Sequence, residues 1–223
     1  MNDQSKRQFR FLGLFTVYFA AIWFLWATPF VYPIKLFVVL LHEISHGLAA
    51  ILTGGQIVGI EVTPREGGLC RCPGGSPFLT LSAGYLGSLL WGGLMIWGAE
   101  RFRSRSAWFV TGIALVAGVA TLLYVRQPFA AAFGLAFAGA LLVVSRRAGL
   151  VGNRIVLTTL GLTSCLYAVL DIKSDILDRP ELLSDARMLA DVTGVPTVVW
   201  GSVWIAVAVA FCAVLFRWAY RRA

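Results

Sequence analysis

Two histidines and a glutamate lie within five consecutive residues of one apolar segment. His42, Glu43 and His46 form the pattern His-Glu-x-x-His, and these are the only two histidines in the chain. On a helix, residues four apart lie on the same face, so the two imidazoles can converge on one metal ion while the carboxylate of Glu43 projects beside them. Two neutral imidazole ligands and a carboxylate that takes a proton from the attacking water are typical of a hydrolytic zinc site.

The apolar surroundings of this pattern favour a metal site over a structural role. The pattern lies in an apolar run from about Pro33 to Thr53, and Glu43 is the only charged residue between Lys35 and Glu61. A carboxylate in the hydrocarbon region of a bilayer is costly unless it is paired, so an acid between two histidines there is a functional site by default. The alternative is a structural or relic cluster, since the pattern also arises by chance.

The composition indicates a membrane protein with several spans. Of the 223 residues, 58% are hydrophobic and 13% are charged, and the mean hydropathy is +0.78. One soluble core cannot bury that much apolar surface. The net charge of +8 comes from basic residues that cluster between the apolar runs. In such loops Lys and Arg contact anionic headgroups, so the charge does not indicate a nucleic-acid partner.

The apolar runs and the residues that interrupt them predict the architecture. Seven membrane spans are predicted, at Phe11 to Tyr32, Pro33 to Thr53, Phe78 to Ala99, Ala107 to Val125, Pro128 to Ser145, Ile155 to Leu170 and Thr197 to Arg217. Strand-like segments at Gln56 to Thr63 and Leu69 to Cys72 predict a hairpin. Ser184 is predicted to cap a short amphipathic helix. We therefore expect an all-α multi-span membrane protein of about six to seven transmembrane helices, with a small β-hairpin between the second and third, in a single domain over residues 1–223.

The two histidines leave one protein ligand of a catalytic zinc ion to be found. Such an ion takes three protein ligands and keeps one position for water. No other histidine exists and cysteine is unusual in this role, so we expect a carboxylate. Asp171, where the sixth predicted span ends, is the nearest candidate, and Asp175, one turn further on, is the second. Asp171 is alternatively a solvated acid at a span end, and a tilted or partly unwound sixth span would be needed to bring it to mid-membrane depth.

These residues together resemble a known family. The His-Glu-x-x-His helix, the strand-like loop, a Gly-containing stretch from Ser82 to Ser88 and a later span ending in Leu170-Asp171 are similar to the site-2 protease family of intramembrane zinc metalloproteases, in its compact peptidase-like branch. The resemblance implies that His42, His46 and Asp171 bind Zn²⁺ and that Glu43 is the general base. Two departures concern the Asp171 region: the family's Leu-Asp-Gly ends in Ile172 here, and no Asn-x-x-Pro precedes it.

The resemblance implies a zinc-dependent metalloendopeptidase that hydrolyses peptide bonds in or near transmembrane segments, in a multi-pass protein of a bacterial cell membrane. Its partners would be a transmembrane protein substrate and the lipid bilayer, without nucleic acid. The hairpin would hold the locally unwound substrate. The alternatives are a membrane hydrolase of another substrate such as a lipid-linked amide, a metal or proton transporter, and an inert protease-like scaffold. The sequence predicts neither further substrate-binding residues nor the oligomeric state.

Overall fold

The computed structural model describes residues 3–178 and 183–222, and in that part of the chain seven helices are long and apolar enough to cross a membrane. The elements in chain order are α1 (Asp3–Leu25), α2 (Tyr32–Leu52), β1 (Gly59–Val62), β2 (Gly68–Arg71), α3 (Pro77–Arg101), α4 (Ser106–Tyr124), α5 (Pro128–Arg147), α6 (Gly149–Lys173), α7 (Asp185–Thr193) and α8 (Thr197–Arg222). All of these helices except α7 are candidate spans. The predicted fold class is confirmed, including the antiparallel hairpin between the second and third spans.

The first and sixth predicted spans differ most from the observed helices. Charged residues do not stop the beginnings of α1 and α6, and α1 ends before the predicted Tyr32. α1 includes the basic N-terminal residues and ends at Leu25, where Thr28 turns the chain by donating to the carbonyl oxygen of Leu25. α6 begins at Gly149 rather than Ile155. Arg154 is tolerated inside α6 because its guanidinium donates to the carbonyl oxygen of Ala99 at 3.1 Å and also pairs with an acidic side chain of α3.

α2 is the central helix of the bundle. Of its most apolar 18 residues, 78% are buried, whereas the corresponding fraction for α1 is 6%. α3 packs against both α2 and α6, and α4 pairs with α5. A polar link joins α2 to α3, since Nε1 of Trp91 donates to Oγ of Ser45 at 3.1 Å. Another joins α3 to α6, where Oγ of Ser164 donates to the carbonyl oxygen of Ser88 at 2.7 Å. α2, α3 and α6 therefore form one fixed unit.

The β-hairpin runs back along α2 instead of leaving the bundle. It starts beyond the C-terminal end of α2, yet its turn lies at the N-terminal end of that helix. The hydroxyl of Tyr32 donates to the carbonyl oxygen of Pro64 at 2.7 Å, and Nζ of Lys35 lies 2.6 Å from Oε1 of Glu66. A helix of 21 residues is about 31 Å long. The hairpin therefore re-enters the region that α2 spans, where non-helical backbone is tolerated only if it is buried in protein or lines a water-filled cavity.

The short helix α7 is docked on the bundle by its apolar face. Oγ of Ser184 accepts a hydrogen bond from the backbone N–H of Arg187, which confirms the predicted cap, and Gly194 ends the helix in the left-handed conformation. Ala186 and Leu189 are fully buried. They belong to an apolar cluster with side chains of α3, α6 and α8, namely Tyr85, Ile172 and Trp204. The packing fixes the position of the residue that opens α7, Asp185.

Candidate metal centre

The two histidines lie on the buried face of α2 with their rings close together. His42 is 8% exposed and His46 is 4% exposed, and the centroids of the two rings are 4.8 Å apart. Nδ1 of His46 lies 2.7 Å from the carbonyl oxygen of Thr80 in α3. Because a carbonyl oxygen only accepts hydrogen bonds, Nδ1 of His46 carries a hydrogen and donates it. Nε2 of His46 is therefore the nitrogen that this contact leaves for an ion.

A carboxylate from α7 reaches both rings. Oδ2 of Asp185 lies 3.1 Å from Nε2 of His42 and 3.1 Å from Nε2 of His46. The Asp185 side chain is 11% exposed. Burial by itself raises the pKa of the Asp185 carboxyl, but the neighbouring imidazoles of His46 and His42 outweigh burial and hold that pKa below the ordinary value for aspartate. Asp185 therefore faces the two rings as a carboxylate.

The two acids predicted as the third ligand lie near other atoms than the Nε2 nitrogens, Asp171 near Nδ1 of His42 and Asp175 near the hydroxyl of Tyr85. Oδ2 of Asp171 lies 3.9 Å from Nδ1 of His42, and the Asp171 side chain is 22% exposed. α6 stays helical through this residue, so the unwinding considered for the sixth span does not occur there. Asp175 follows in a π-helical turn and accepts a hydrogen bond from the hydroxyl of Tyr85. The assignment of Asp171 as a ligand stays a prediction.

The carboxylate of Glu43 lies between the histidines and the hairpin. Glu43 is 5% exposed, and the ligand atoms of His42, Glu43 and His46 all lie within 4.8 Å of one another. The side chain packs directly on the backbone of β2. A Cβ added to Gly68 would fall on Oε1 of Glu43 and would lie 2.8 Å from its Cδ. Only glycine at position 68 leaves room for the carboxylate beside the strand.

Gly84 of α3 faces the two imidazoles. A Cβ added to Gly84 would fall on Nε2 of His42, and it would lie 2.5 Å from Nε2 of His46. Such distances are shorter than real Cβ atoms show. Gly84, which belongs to the Gly-containing stretch from Ser82 to Ser88, therefore lies against the two rings. The missing side chain at position 84 lets α3 approach the two Nε2 atoms closely.

These groups line a polar cavity of about 510 Å³ between α2, β2, α3, α6 and α7. His42, Glu43 and His46 form one side of the cavity, and Asp171 and Asp185 form another. A second cavity, of about 370 Å³ between α2, β1 and α4, is lined almost entirely by apolar side chains and holds none of these groups. The polar cavity is therefore the place where water and a polar substrate group can reach the histidines.

The residues present fit a zinc ion. The Nδ1 contact of His46 with Thr80 leaves Nε2 of that ring for a ligand, and Nε2 of His42 points to the same place. Nitrogen and carboxylate oxygen are the donors that zinc takes in hydrolytic sites. Two ring nitrogens and a carboxylate oxygen at 3.1 Å must have protons or a cation between them, because otherwise their lone pairs would repel. Both Nε2 atoms also lie close to Gly84, where no side chain intrudes between them and α3.

Sequence reasoning did not identify Asp185 as a residue of the site. The segment from Asp178 to Asp191, part of which lies outside the described residues, reads as an acidic loop with a capped helix. One signal was available. Ala186 and Leu189 give α7 an apolar face that must pack against something, and Asp185 at the start of the helix is carried inward with it. Its distance along the chain from His42, 143 residues, hid the contact.

A family model described as Peptidase M50B-like matches residues 15–215. The matched range includes α2, the hairpin, Gly84, Asp171 and Asp185, so it contains every group described at this centre. Comparisons with curated proteins and with solved structures gave no match.

Proposed function

The chain belongs to the Peptidase M50B-like family, as its resemblance to the site-2 proteases predicted, and we propose that it is an intramembrane zinc metalloendopeptidase. Its substrates would be membrane proteins, cut at peptide bonds in or near their transmembrane segments. The family and the seven apolar helices indicate a multi-pass membrane protein, for which we propose a bacterial cell membrane. The proposal is carried by one observation, the convergence of two buried imidazoles and Glu43 on a polar cavity along a spanning helix.

The two histidines of α2 would hold the ion through their Nε2 atoms, together with one carboxylate. A zinc ion bound there supplies Lewis-acid chemistry, because it brings the pKa of a water molecule towards neutrality and polarises a carbonyl group. The carbonyl oxygen of Thr80 fixes the ring orientation of His46. Both rings are buried, so the ion would be reached through the polar cavity that they line.

Glu43 is the proposed general base. Its carboxylate accepts a proton from the attacking water and then gives this proton to the leaving amine, which lets one residue serve both proton transfers. The carboxylate lies within 4.8 Å of both imidazoles and is held against the backbone of Gly68. A base so placed needs little reorganisation before it acts, which favours catalysis by positioning.

The outer edge of β2 favours a peptide over a lipid as the substrate. The backbone N–H of Thr63 donates to the carbonyl oxygen of Gly67, and Val62 pairs with Gly68. In an antiparallel pair these positions alternate, so Gly68 and Cys70 direct their backbone groups away from β1. No third strand lies against this edge in the described part of the chain. The backbone of Cys70 on this edge hydrogen-bonds Glu43, so an unwound substrate segment would pair beside this contact, with its scissile bond near the general base.

The experiment uses the purified protein and a panel of single-span membrane proteins reconstituted together in liposomes, with cleavage products identified by mass spectrometry. Glu43→Gln is expected to keep its zinc and to lose cleavage by roughly 10²- to 10⁴-fold, the usual contribution of general acid–base catalysis. Asp191→Asn is the matched control, because this acid is exposed and pairs with Arg187 at 3.4 Å on the same helix. The control should cleave like the wild type.

Three outcomes would contradict the proposal. Equal cleavage by Glu43→Gln and the wild type would remove the general-base role. Hydrolysis of lipid-linked amides without cleavage of any protein in the panel would favour a hydrolase of another class. Zinc uptake into the liposomes without any hydrolysis would favour a transporter.

A further inference from the structure

We propose that Asp185, rather than Asp171, is the third protein ligand of the metal ion, so that the metal centre is shared between α2 and the short helix α7. This inference rests on the proposed function in one respect only, which is the presence of a metal ion at the two histidines. It adds a consequence for the fold. The docking of α7 on the bundle then depends on the ion.

The distances at Asp185 are close to those between neighbouring ligands of zinc. Zinc–nitrogen and zinc–oxygen bonds of about 2.0 to 2.2 Å in a tetrahedron place adjacent ligand atoms roughly 3.3 to 3.6 Å apart. Oδ2 of Asp185 lies 3.1 Å from each Nε2 atom, a few tenths of an ångström below that range. One oxygen equidistant from both nitrogens is the arrangement that three ligands of a common ion adopt.

Asp171 lies nearest to a different nitrogen of the His42 ring. Its nearest ring nitrogen is Nδ1, at 3.9 Å, whereas the nitrogen that converges with His46 is Nε2. Metal-bound histidines commonly direct their second ring nitrogen at a carboxylate or a carbonyl oxygen, which sets the orientation of the ring. Thr80 holds that place for His46. Asp171, whose Oδ2 lies 3.9 Å from Nδ1 of His42, would be the corresponding partner of that ring and thus a positioning residue.

α7 is built to deliver a carboxylate at a fixed place. Asp185 is the first residue of the helix, directly after the Ser184 cap, so its backbone position is set by the cap and by the helix together. Leu189, one turn further on, is fully buried in the cluster with Tyr85 and Trp204. The ligand thus depends on packing between α3, α7 and α8, and does not require any unwinding of α6.

The same helix forms a wall of the polar cavity. Ser184, Asp185 and Met188 line it opposite Glu43 and the hairpin. Movement of α7 away from the bundle would open the cavity on that side and remove one ligand at the same time. Metal binding and closure of the cavity are therefore coupled through Asp185.

The first experiment introduces a ligand with a distinct spectroscopic signature. The Asp185→Cys and Asp171→Cys variants are purified in detergent and loaded with Co²⁺ in place of zinc. Cobalt–thiolate bonds give a charge-transfer band in the near ultraviolet that cobalt bound to nitrogen and oxygen lacks. We expect this band in Asp185→Cys and not in Asp171→Cys or the wild type, whose own cysteines provide the background. A band in Asp171→Cys alone would overturn the proposal.

The second experiment measures zinc affinity by competition with a chromophoric chelator. Removal of a residue that only orients a metal ligand costs roughly 10- to 100-fold in affinity. Asp185→Asn should lose more zinc affinity than that. Asp171→Asn should stay within that range and keep the cobalt spectrum of a four-coordinate site. Asp191→Asn is the control on the same helix, because its side chain is 60% exposed. Unchanged affinity in Asp185→Asn would overturn the proposal.

Hydrogen exchange of α7 amides tests the coupling without reference to catalysis. Removal of zinc from the wild type should speed exchange in α7, and Asp185→Asn should exchange fast with or without zinc. If the wild type binds metal and only Asp171→Asn loses much of its zinc affinity, the role of Asp185 is refuted and the protease proposal stays intact. A wild type that binds no metal would refute both.

Discussion

Replacement of Gly84 by alanine perturbs the metal centre without replacing any proposed ligand. The added Cβ would lie 2.6 Å from Cε1 of His42, about 0.8 Å short of the 3.4 Å at which ordinary contact begins. Either α3 moves away from α2 by that amount or the ring of His42 turns. Ligand sites tolerate displacements of only about 0.5 Å. We therefore expect zinc affinity to fall 10- to 100-fold, about 1.4 to 2.8 kcal/mol, as for loss of an outer partner of the ion.

The assay is zinc competition with a chromophoric chelator, run beside thermal unfolding in the same detergent. Gly112→Ala is the matched control, because a Cβ added to that glycine of α4 meets nothing within 4 Å. The control should keep wild-type affinity and unfold no more easily, since alanine is the better helix former by about 1 kcal/mol. Wild-type zinc affinity in Gly84→Ala would refute the claim that the two Nε2 atoms converge on the space beside this glycine.

Three further predictions concern the base, the docked helix and the ion. Gly68→Ala should keep its zinc and lose cleavage by roughly 100-fold, because the new Cβ displaces the carboxylate of Glu43. The control is Gly59→Ala, whose new Cβ would meet a carbonyl oxygen at 3.7 Å and which should cleave normally. Equal cleavage rates in the two variants would show that β2 does not position the base. Leu189→Ala removes a fully buried side chain, which should lower the free energy of unfolding by about 2 to 5 kcal/mol and speed hydrogen exchange in α7. Val192→Ala, at an exposed position, should leave that exchange unchanged. Equal exchange rates in the two variants would mean that apolar packing does not hold the helix. Chelation of the ion should lower the melting temperature of the wild type, and excess zinc should restore that temperature, because a ligand that binds only the folded state stabilises the folded state. An unchanged melting temperature would contradict a metal site in the folded protein.

The spans and the hairpin could be predicted because they depend on local properties of the chain. Runs of apolar residues set the length of each helix, and Gly and Pro mark the ends, as at Gly54 after α2 and Pro77 at the start of α3. The start of α6 could not be found in this way. In the sequence Arg154 is typical of a residue at the membrane surface. Its partners Ala99 and Glu100 come from another helix, so the contacts that allow Arg154 inside α6 are tertiary ones.

Only the part of the site that lies on a single helix could be predicted from the sequence. The spacing of His42 and His46 on α2 needs no knowledge of the fold. The positions of the acids around these histidines do depend on the fold. Asp171 was expected because it follows an apolar run, whereas Asp185 reaches the rings only because α7 packs on α3 and α8. A ligand fixed by packing between distant elements leaves no spacing pattern in the sequence.

X-ray absorption at the zinc edge of the purified wild-type protein tests most directly whether an ion is held by the two imidazoles. We expect stoichiometric zinc with only nitrogen and oxygen neighbours at about 2.0 to 2.1 Å. The spectrum should also contain the outer-shell scattering of two imidazole rings, and this contribution should be lost in His46→Ala. A sulfur shell at about 2.3 Å would place the ion on cysteine instead, and a protein that retains no zinc would contradict a metal centre at His42 and His46 altogether.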